Sequence, residues 1–571
     1  MKKKLGLVGI LLILLFVLGV VTFDKSRIAQ FIVENDESFY ISLKLDNRTQ
    51  EVLPWYDGVE DLYYFFLPAC VQNKEIYFDY ELNIRVILDG IGISKRDSFP
   101  WEKGEVYLLE LGDKSFQVTF MKSENLPSLF VDTDSGSMNA VWNDKQYKEQ
   151  GALTVVSENG NIQYNGKLDK ISGRGNSTWI FPDKKPYSIS LADSYPLCNL
   201  SANKDWNLLS LCYEHDKIHS KIILDMAREI GLSSTPECTW VDLYCEGEYQ
   251  GMYLLTEEVA ANYKNTSGIL LERERLDRLE EAETYFTTAE CRYIFVYKEP
   301  SVLSEDQMQE TIDFVQKIEN MIVAGNDLYK EYIDMDSIAK QYLLDKIFME
   351  ADAMAMSTFY YIDLDTDKIY AGPCWDYDRA LGMIFANYAA PIDADPNHMS
   401  RWYNTFYADS EFFRRMYAVY VELQPYFERI LREDIDCYAE YIRASVEMDN
   451  ILWNNYSTTD TSRYLNWDSY IRYTKFFLAN RLNYLNDLWS VETTKFEVPE
   501  STGMYHDVYF KMIDGTVVEK MSVLDGTCLK ELPPLDAELY SGWCYWHFRD
   551  EYTTLRPVYE DLIIYANPIT E

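Results

Sequence analysis

The part of the chain that follows residue 24 alternates apolar and polar positions in short runs. Such alternation favours β-strands, because successive side chains of a strand point to opposite faces of a sheet. Gly90, Gly92, Gly104 and Gly112 lie between the runs and predict turns. The sequence therefore predicts a small β-sandwich over residues 24–128, with strands at Phe39–Leu45, Ile76–Tyr80, Ile84–Leu88, Val106–Leu111 and Phe116–Phe120.

The central part of the chain mixes strand and helix periodicities. Gly231 ends an apolar stripe of helical spacing, and Ser304 with Gln307 forms a capping box at the start of another helix. Helices are predicted at 216–230, 304–324 and 336–354, the last carrying Asp352, and amphipathic helices over 408–490. Strands are predicted at 152–157, 161–164, 168–171, 184–191, 238–245, 250–256, 359–364 and 368–370, and short strands return after Thr493.

The N-terminus carries a basic cluster followed by an apolar run. Lys2, Lys3 and Lys4 precede an uncharged stretch from Leu5 to Phe23, long enough to cross a bilayer as a helix. Lysines before such a helix favour an inside N-terminus, with the rest of the chain outside. Residues 1–23 are therefore interpreted as an uncleaved signal-anchor of a single-pass membrane protein. The alternative is a cleaved signal peptide, which would make the protein secreted.

Charge and cysteine content narrow the classes of partner. The 571 residues include 53 Lys and Arg against 93 Asp and Glu, a net charge of −40. This balance argues against nucleic acid and against membrane contact outside the N-terminal helix, and it favours a basic partner. The ten cysteines contain no C-x-x-C pair, and either disulfides or buried free thiols fit them. His215 and His219 lack a third ligand in sequence, so zinc is not expected.

The segment Gly372–Gly382 holds the strongest chemical signal. Asp376 and Asp378 are two residues apart, so in an extended segment both carboxylates point the same way. Mg²⁺ in phosphoryl-transfer sites is held by one or two carboxylates together with substrate phosphates. The pair is therefore a candidate site for Mg²⁺ or Mn²⁺. A D-x-D pair on its own also fits a turn or a solvated strand edge.

A second candidate site lies upstream, in the run Gly173-Arg174-Gly175-Asn176-Ser177-Thr178-Trp179. A glycine-bearing loop exposes backbone N–H groups that can bind phosphate oxygens. Lys184 and Lys185 open the strand that follows, and a lysine there can reach the same phosphates. A plain hairpin with exposed basic residues is the alternative.

Several motifs in this order resemble the spore-coat CotH kinase family. They are Gly173–Trp179, Lys184–Tyr187, Glu248–Glu257, Asp352 and Gly372–Asp378, within about residues 130–490. The resemblance implies an atypical protein-kinase-like fold that transfers the γ-phosphate of ATP to Ser or Thr of bacterial surface or coat proteins. It implies phosphate binding by Arg174, Asn176, Ser177, Thr178 and Trp179, and by Lys185 or Lys184.

The resemblance also implies roles for the acidic residues. Glu257 would contact adenine, Asp352 would act as the catalytic aspartate beside the catalytic Lys185, and Asp376 with Asp378 would bind the metal. Many members of the family have an asparagine where this chain has Ser357, and a hydroxyl is a weaker Mg²⁺ ligand. One or two metal ions are therefore both compatible with the sequence. The candidate partners of the lysine are Glu214, Glu229 and Glu272.

The expected architecture is α+β, with four units along the chain. They are the helix 1–23, the β-sandwich 24–128, the kinase-like domain 129–491 and a β module over 492–571. The last unit resembles the Listeria–Bacteroides (internalin B-type) repeat, which implies a cell-wall or surface partner. The predicted function is that of an exported, membrane-anchored Ser/Thr kinase with a basic protein substrate. A kinase-like scaffold that only binds nucleotide, and a polysaccharide-binding protein, remain alternatives.

Overall fold

The structure is a computed structural model that describes most of the chain. The described residues are 39–45, 48–71, 76–80, 85–94, 97–260, 263, 266–279, 283–350, 352, 355–384, 388–389, 391–395, 400–453, 467–493, 495–544 and 552–569. Within these ranges, no helix combines the length and apolar character needed to cross a bilayer. The predicted signal-anchor at residues 1–23 lies outside them. The interpretation as a single-pass membrane protein is corrected accordingly, because no described element supports it.

Two sheets form the N-terminal part. The strands are β1 (Phe39–Leu45), β2 (Arg48–Val52), β3 (Trp55–Asp57), β4 (Leu62–Leu67), β5 (Ile76–Tyr80), β6 (Val86–Leu88), β7 (Ile91–Gly92), β8 (Ser98–Phe99), β9 (Val106–Leu111) and β10 (Lys114–Lys122). The sheet orders are β2-β1-β5-β8 and β3-β4-β10-β9-β6-β7. Their facing aromatic side chains, among them Phe65, Phe78 and Phe120, form one buried cluster. The alternation in the sequence correctly predicted β1, β5, β6, β9 and β10, although Ile84, the first residue of the predicted strand at β6, lies outside the described residues. It did not predict β2, β3, β4, β7 and β8.

A closed seven-stranded barrel follows. Its segment contains β11 (Ser128–Thr133), α1 (Asn139–Asn143), β12 (Glu149–Val156), β13 (Ile162–Gly173), α2 (Ser177–Ile180), β14 (Tyr187–Tyr195), β15 (Asn203–Leu209), α3 (His219–Glu229), β16 (Cys238–Cys245) and β17 (Glu248–Glu257). The barrel closes because β11 pairs antiparallel with β12 on one side and parallel with β16 on the other. Apolar side chains such as Leu153, Ile189 and Leu255 fill its interior.

A five-stranded sheet and a set of helices come next. The elements are β18 (Ile269–Glu274), β19 (Tyr285–Thr287), β20 (Ile294–Glu299), α4 (Glu305–Ala324), α5 (Met335–Phe348), β21 (Thr358–Asp363), β22 (Lys368–Ala371), β23 (Met383–Ile384), β24 (Tyr388–Ala389), α6 (Arg401–Tyr407), α7 (Ser410–Glu422), α8 (Gln424–Arg429), a π-helical turn (Ile430–Asp434), α9 (Ile435–Trp453) and α10 (Trp467–Trp489). The sheet order is β19-β20-β18-β21-β22. One large apolar cluster joins this sheet to the helices.

Two helix boundaries bear on the site. The capping box predicted for α4 is present, since Gln307 N–H donates to Ser304 Oγ and the Gln307 side chain accepts from Ser304 N–H. The predicted helix 336–354 is too long, because α5 ends at Phe348. Met349 has a left-handed backbone (φ +55°), which stops the helix. Asp352 therefore lies after the helix rather than on it.

A third all-β unit ends the described chain. Its strands are β25 (Tyr505–Lys511), β26 (Val517–Leu524), β27 (Thr527–Cys528), β28 (Tyr540–Cys544), β29 (Pro557–Val558) and β30 (Leu562–Pro568), with the main sheet in the order β26-β25-β30-β28. Short strands after Thr493 were predicted correctly. All ten cysteines lie in the described ranges, and each is a free thiol.

The expected fold class is wrong. The prediction was an α+β, kinase-like domain behind a transmembrane helix, whereas the described chain is mainly β-sheet and its central element is the closed barrel. The physical reason is the pairing of β11 with β16, which joins the two edges that an open sheet would leave exposed. The boundaries 24–128, 129–491 and 492–571 stay predictions.

Candidate functional site

A cavity of about 220 Å³ lies between the barrel and the five-stranded sheet. The loop after β13 and the segment after β15 form one wall. The segments around Asp352 and Asp376, with β18 and β20, form the other. Seven of the residues singled out from sequence line it together: Arg174, Asn176, Ser177, Thr178, Asp352, Asp376 and Asp378. Ser357 lines it as well.

The loop Gly173–Trp179 owes its shape to its two glycines. Gly175 has a left-handed backbone (φ +77°), and a Cβ there would overlap the Thr178 hydroxyl. A Cβ on Gly173 would lie 2.5 Å from the Trp179 ring. Trp179 therefore packs back onto its own loop, and it does not line the cavity. Both glycines are needed for this turn, which places Arg174 and Ser177 on the cavity wall.

Arg174 supplies positive charge to the cavity. Its guanidinium lies over the Trp375 ring, 5.4 Å from the centroid. Burial lowers the pKa of Arg174, while Asp376, Glu258, Glu272 and Asp378 oppose that shift. The group stays charged because the ordinary pKa of a guanidinium is above about 12. Arg174 is thus a fixed cation that faces carboxylates across the cavity.

The wall that contains Asp352, Asp376 and Asp378, here named the acidic wall, is crowded with carboxylates. Burial, and then the neighbouring Asp376, raise the pKa of Asp378 well above its ordinary value. Burial also raises the pKa of Asp352, against the pull of Arg379, whose guanidinium is 3.6 Å from Asp352 Oδ2. Asp376 has a left-handed backbone (φ +64°), a strained conformation of the kind that clusters at functional sites.

These residues fit a divalent cation and a phosphate chain. The donor set is made of carboxylate oxygens, which Mg²⁺ and Mn²⁺ prefer. Burial, and after it the neighbouring charge of Asp376, raise the pKa values of Asp378 and Asp352, and a bound cation would stabilise their charged forms. Asp376 and Asp378 would hold the metal, and Arg174 would face the phosphates.

Both predicted lysines lie away from the cavity lining. Lys184 is buried, where its Nζ donates to Asp449 Oδ1 and to the Met252 carbonyl, each at 2.5 Å. Lys185 Nζ donates to the carbonyls of Trp179 and Pro182, both at 2.6 Å. The first ties the barrel to α9, and the second holds the glycine loop. None of Glu214, Glu229 or Glu272 forms an ion pair with either lysine within the described residues.

A different lysine does reach the cavity. Lys298 of β20 lines it and pairs with Glu272 (2.9 Å) and Glu283 (3.1 Å), which line it too. Burial opposes the charge of Lys298, but the two glutamates raise its pKa. Sequence reasoning named Glu272 and missed Lys298, because a lysine in a strand of alternating residues carries no local signal for a site.

A second cavity of about 370 Å³ adjoins the first and shares Arg174, Glu272, Lys298 and Trp375 with it. Glu258, Val259 and Ala260, which follow β17, line this second cavity. Glu257 does not line it. Its side chain is buried and accepts the Glu237 N–H at 2.9 Å. The segment predicted to contact adenine therefore borders the cavity one residue later than expected.

A buried cluster lies beneath the acidic wall. His219 Nδ1 is 2.9 Å from Asp216 Oδ1, and Glu214, which lines the main cavity, is 3.8 Å from His219 Nε2. Their potential ligand atoms lie within 4.8 Å of one another. Burial opposes protonation, but Asp216 and Glu214 raise the pKa of His219 to about 9. Glu214, Asp216 and His219 are all buried, and this cluster forms the floor of the cavity beneath the acidic wall.

The comparison with protein families matches the same region of the chain. A family model described as CotH kinase protein covers residues 171–485, more than half of the chain and all of the residues that line the acidic wall. The chain belongs to the CotH kinase protein family. Membership makes it a kinase-like protein. No curated protein matches the chain.

Proposed function

We propose that this protein is a phosphotransferase that binds ATP with a divalent cation and phosphorylates Ser or Thr of another protein. The observation that carries the proposal is the convergence of the glycine loop with Asp352, Asp376 and Asp378 on one cavity. A phosphate-binding loop, metal-binding carboxylates and a base near the acceptor hydroxyl are the parts that phosphoryl transfer needs.

Each wall of the cavity has a role in this proposal. Arg174 and the loop through Thr178 bind the phosphates, and Asp376 with Asp378 hold the cation. Asp352 orients the acceptor hydroxyl and takes its proton, and Arg379 keeps Asp352 in place. The bound cation supplies neutralisation of phosphate charge. The second cavity, bordered by Glu258 and Ala260, receives the adenine ring of ATP.

The substrate proposal follows from charge. With a net charge of −40, the chain attracts basic proteins and repels nucleic acid. We therefore propose a Ser- or Thr-containing protein substrate of basic character. The β-strands after residue 492 would serve as a module that contacts a surface or cell-wall partner. We also propose that the protein acts on bacterial surface or coat proteins.

The test is phosphate transfer by the purified chain with radiolabelled ATP and either Mg²⁺ or Mn²⁺. We expect autophosphorylation, or phosphorylation of a basic acceptor protein, that Asp376→Asn and Asp352→Asn each reduce by about a hundredfold or more. A matched control is Asp365→Asn, an exposed carboxylate in the β21–β22 turn. Full activity in both site variants would remove the site assignment.

One observation favours the second candidate, a kinase-like scaffold that binds nucleotide without turning it over. Lys184 and Lys185 are both engaged by other groups, and neither lines the cavity. Calorimetry with ATP and Mg²⁺, run beside the transfer assay, separates the two functions. Binding that Arg174→Met abolishes, without transfer to any acceptor, would establish the scaffold.

A further inference from the structure

Tyr377 lies in the chain between Asp376 and Asp378, and the proposed roles do not use its hydroxyl. The side chain is 3% exposed. Its hydroxyl donates to Asp345 Oδ1 at 2.6 Å and accepts from Gln341 Nε2, also at 2.6 Å. Gln341 Nε2 donates to Asp345 Oδ1 as well, at 3.1 Å. A buried hydrogen-bond network on α5 therefore holds the residue that separates the two aspartates.

The direction of the hydrogen bond between Tyr377 and Asp345 follows from burial. Burial, and after it the charge of Asp345, raise the pKa of Tyr377 well above its ordinary value, so the hydroxyl keeps its proton and donates. Burial also raises the pKa of Asp345 to about 7, against the hydrogen bonds from Tyr377 and Gln341. Oδ1 accepts both bonds, whereas Oδ2 has no hydrogen-bond partner among the described residues. One oxygen of Asp345 thus makes the whole contact.

The backbone beside Tyr377 needs such support. Asp376 has a left-handed backbone (φ +64°), which is strained for a residue with a Cβ. A strained conformation persists only where the surrounding structure holds it. α5 also holds the end of this segment, because the Leu381 N–H donates to the Phe348 carbonyl at 2.6 Å. The direction of the Asp376 carboxylate therefore depends on contacts with α5.

We propose that Tyr377 is a positioning residue for the cation site, whose hydroxyl, held by Asp345 and Gln341, fixes the orientation of the Asp376 and Asp378 carboxylates. Groups that orient metal ligands change the metal affinity although they do not contact the metal. This inference rests on the proposed function, because the two aspartates are the proposed cation ligands.

The experiment measures the affinity of the full chain for Mn²⁺ by electron paramagnetic resonance, in the presence of a non-hydrolysable ATP analogue. Tyr377→Phe keeps the buried ring and removes only the hydroxyl. We expect this variant to bind Mn²⁺ about tenfold more weakly than the wild type, or worse. Its affinity for the analogue without metal should be unchanged, because Arg174 and the glycine loop are intact.

Two substitutions of Asp345 test the partner of the hydroxyl. Asp345→Asn keeps an oxygen that accepts from Tyr377, so it should bind Mn²⁺ as the wild type does. Asp345→Leu cannot accept, so it should lose as much affinity as Tyr377→Phe. Combining Asp345→Leu with Tyr377→Phe should cause no further loss, because both remove the same contact. Asp345→Leu replaces Tyr377→Phe in the test if that variant does not fold.

The matched control is Tyr249→Phe, in a second buried pair of a tyrosine and an aspartate. The Tyr249 hydroxyl donates to Asp242 Oδ1 at 2.8 Å, and Tyr249 lines neither cavity of the site. Its substitution should lower the free energy of unfolding and leave the Mn²⁺ affinity unchanged. Unchanged Mn²⁺ affinity in Tyr377→Phe, or an equal loss of affinity in Tyr249→Phe, overturns the positioning role.

The outcomes also separate this inference from the proposed function. If wild type and Tyr377→Phe bind Mn²⁺ equally well with the analogue, the cation site stands and the positioning role is wrong. If the wild type binds no Mn²⁺ with the analogue, the proposed cation site is wrong, and this inference is wrong with it.

Discussion

Two adjacent lysines, Lys184 and Lys185, have different structural roles in this protein. Lys184 is 4% exposed and compensates the charge of Asp449 on α9. A second lysine, Lys217, has its Nζ 3.7 Å from Asp449 Oδ2. Burial lowers the pKa of Lys184 to about 8. Lys185 Nζ donates to two carbonyls of its own loop. Lys184 therefore stabilises the packing of the barrel against α9, whereas Lys185 stabilises the shape of the glycine loop.

Lys184→Met should destabilise the protein by about 3 kcal/mol, because it removes the nearer of the two cations that pair with the buried carboxylate of Asp449. The free energy of unfolding, measured by denaturant titration, reports this loss. Lys204→Met is the control, since Lys204 is 46% exposed and its ion pair with Asp169 is on the surface. Its effect should stay within about 0.5 kcal/mol. Equal losses of unfolding free energy in the two variants would show that the buried ion pair contributes no more to stability than the surface ion pair does.

At the scale of elements, the glycine loop joins two strands of the barrel and brings Arg174 to the site. The sequence was sufficient to identify this loop and the Asp376 segment, because glycine and carboxylate spacing are local signals. It was not sufficient for Glu257, since neighbouring residues at a strand end point to opposite sides and an error of one residue reverses the assignment. The closure of the barrel could not be predicted from the sequence either, because β11 and β16 pair across more than a hundred residues of intervening chain.

Gly175→Ala should cost about 1–2 kcal/mol of stability, because alanine is strained at φ +77° and its Cβ meets Thr178 Oγ1. The displaced loop should also weaken nucleotide binding by about tenfold, which corresponds to about 1.4 kcal/mol. Titration calorimetry measures the affinity. Gly160→Ala is the matched control, since Gly160 has a similar backbone (φ +85°) in the β12–β13 turn, away from the cavities.

Gly160→Ala should lower stability to a similar extent and leave the affinity unchanged. The loop is not a phosphate-binding element if both variants bind nucleotide as the wild type does.

At the scale of the whole molecule, α10 connects the C-terminal strands to the cavity floor. Arg472 of α10 pairs with Asp525 through both guanidinium nitrogens, at 3.0 and 2.7 Å, and lies over the Tyr559 ring at 4.0 Å. Two residues along the same helix, Thr474 Oγ1 donates to Asp216, the partner of His219. The strands β25–β30 are therefore held against the helix that supports the floor.

Asp525→Asn should weaken the attachment of the C-terminal strands to α10. The resulting loss of stability relative to the wild type should depend on pH. Arg472, together with the Thr502 N–H and His506, keeps the pKa of Asp525 far below its ordinary value. A carboxylate whose pKa is lowered by folding stabilises the protein above its unfolded-state pKa, about 3.9, and that stabilisation is lost as the pH falls below it. At pH 7 the variant should be less stable by about 1.5–3 kcal/mol, the range for hydrogen bonds to charged groups.

Denaturant titrations of wild type and Asp525→Asn at pH 7, 5 and 3.5 check this expectation. The difference in unfolding free energy should be equal at pH 7 and 5 and smaller at pH 3.5. Asp487→Asn is the control, because Asp487 is 67% exposed and pairs with Lys495 on the surface of the same helix. A difference for Asp525→Asn that persists unchanged to pH 3.5 would mean that the charge of Asp525 does not hold the C-terminal unit in place.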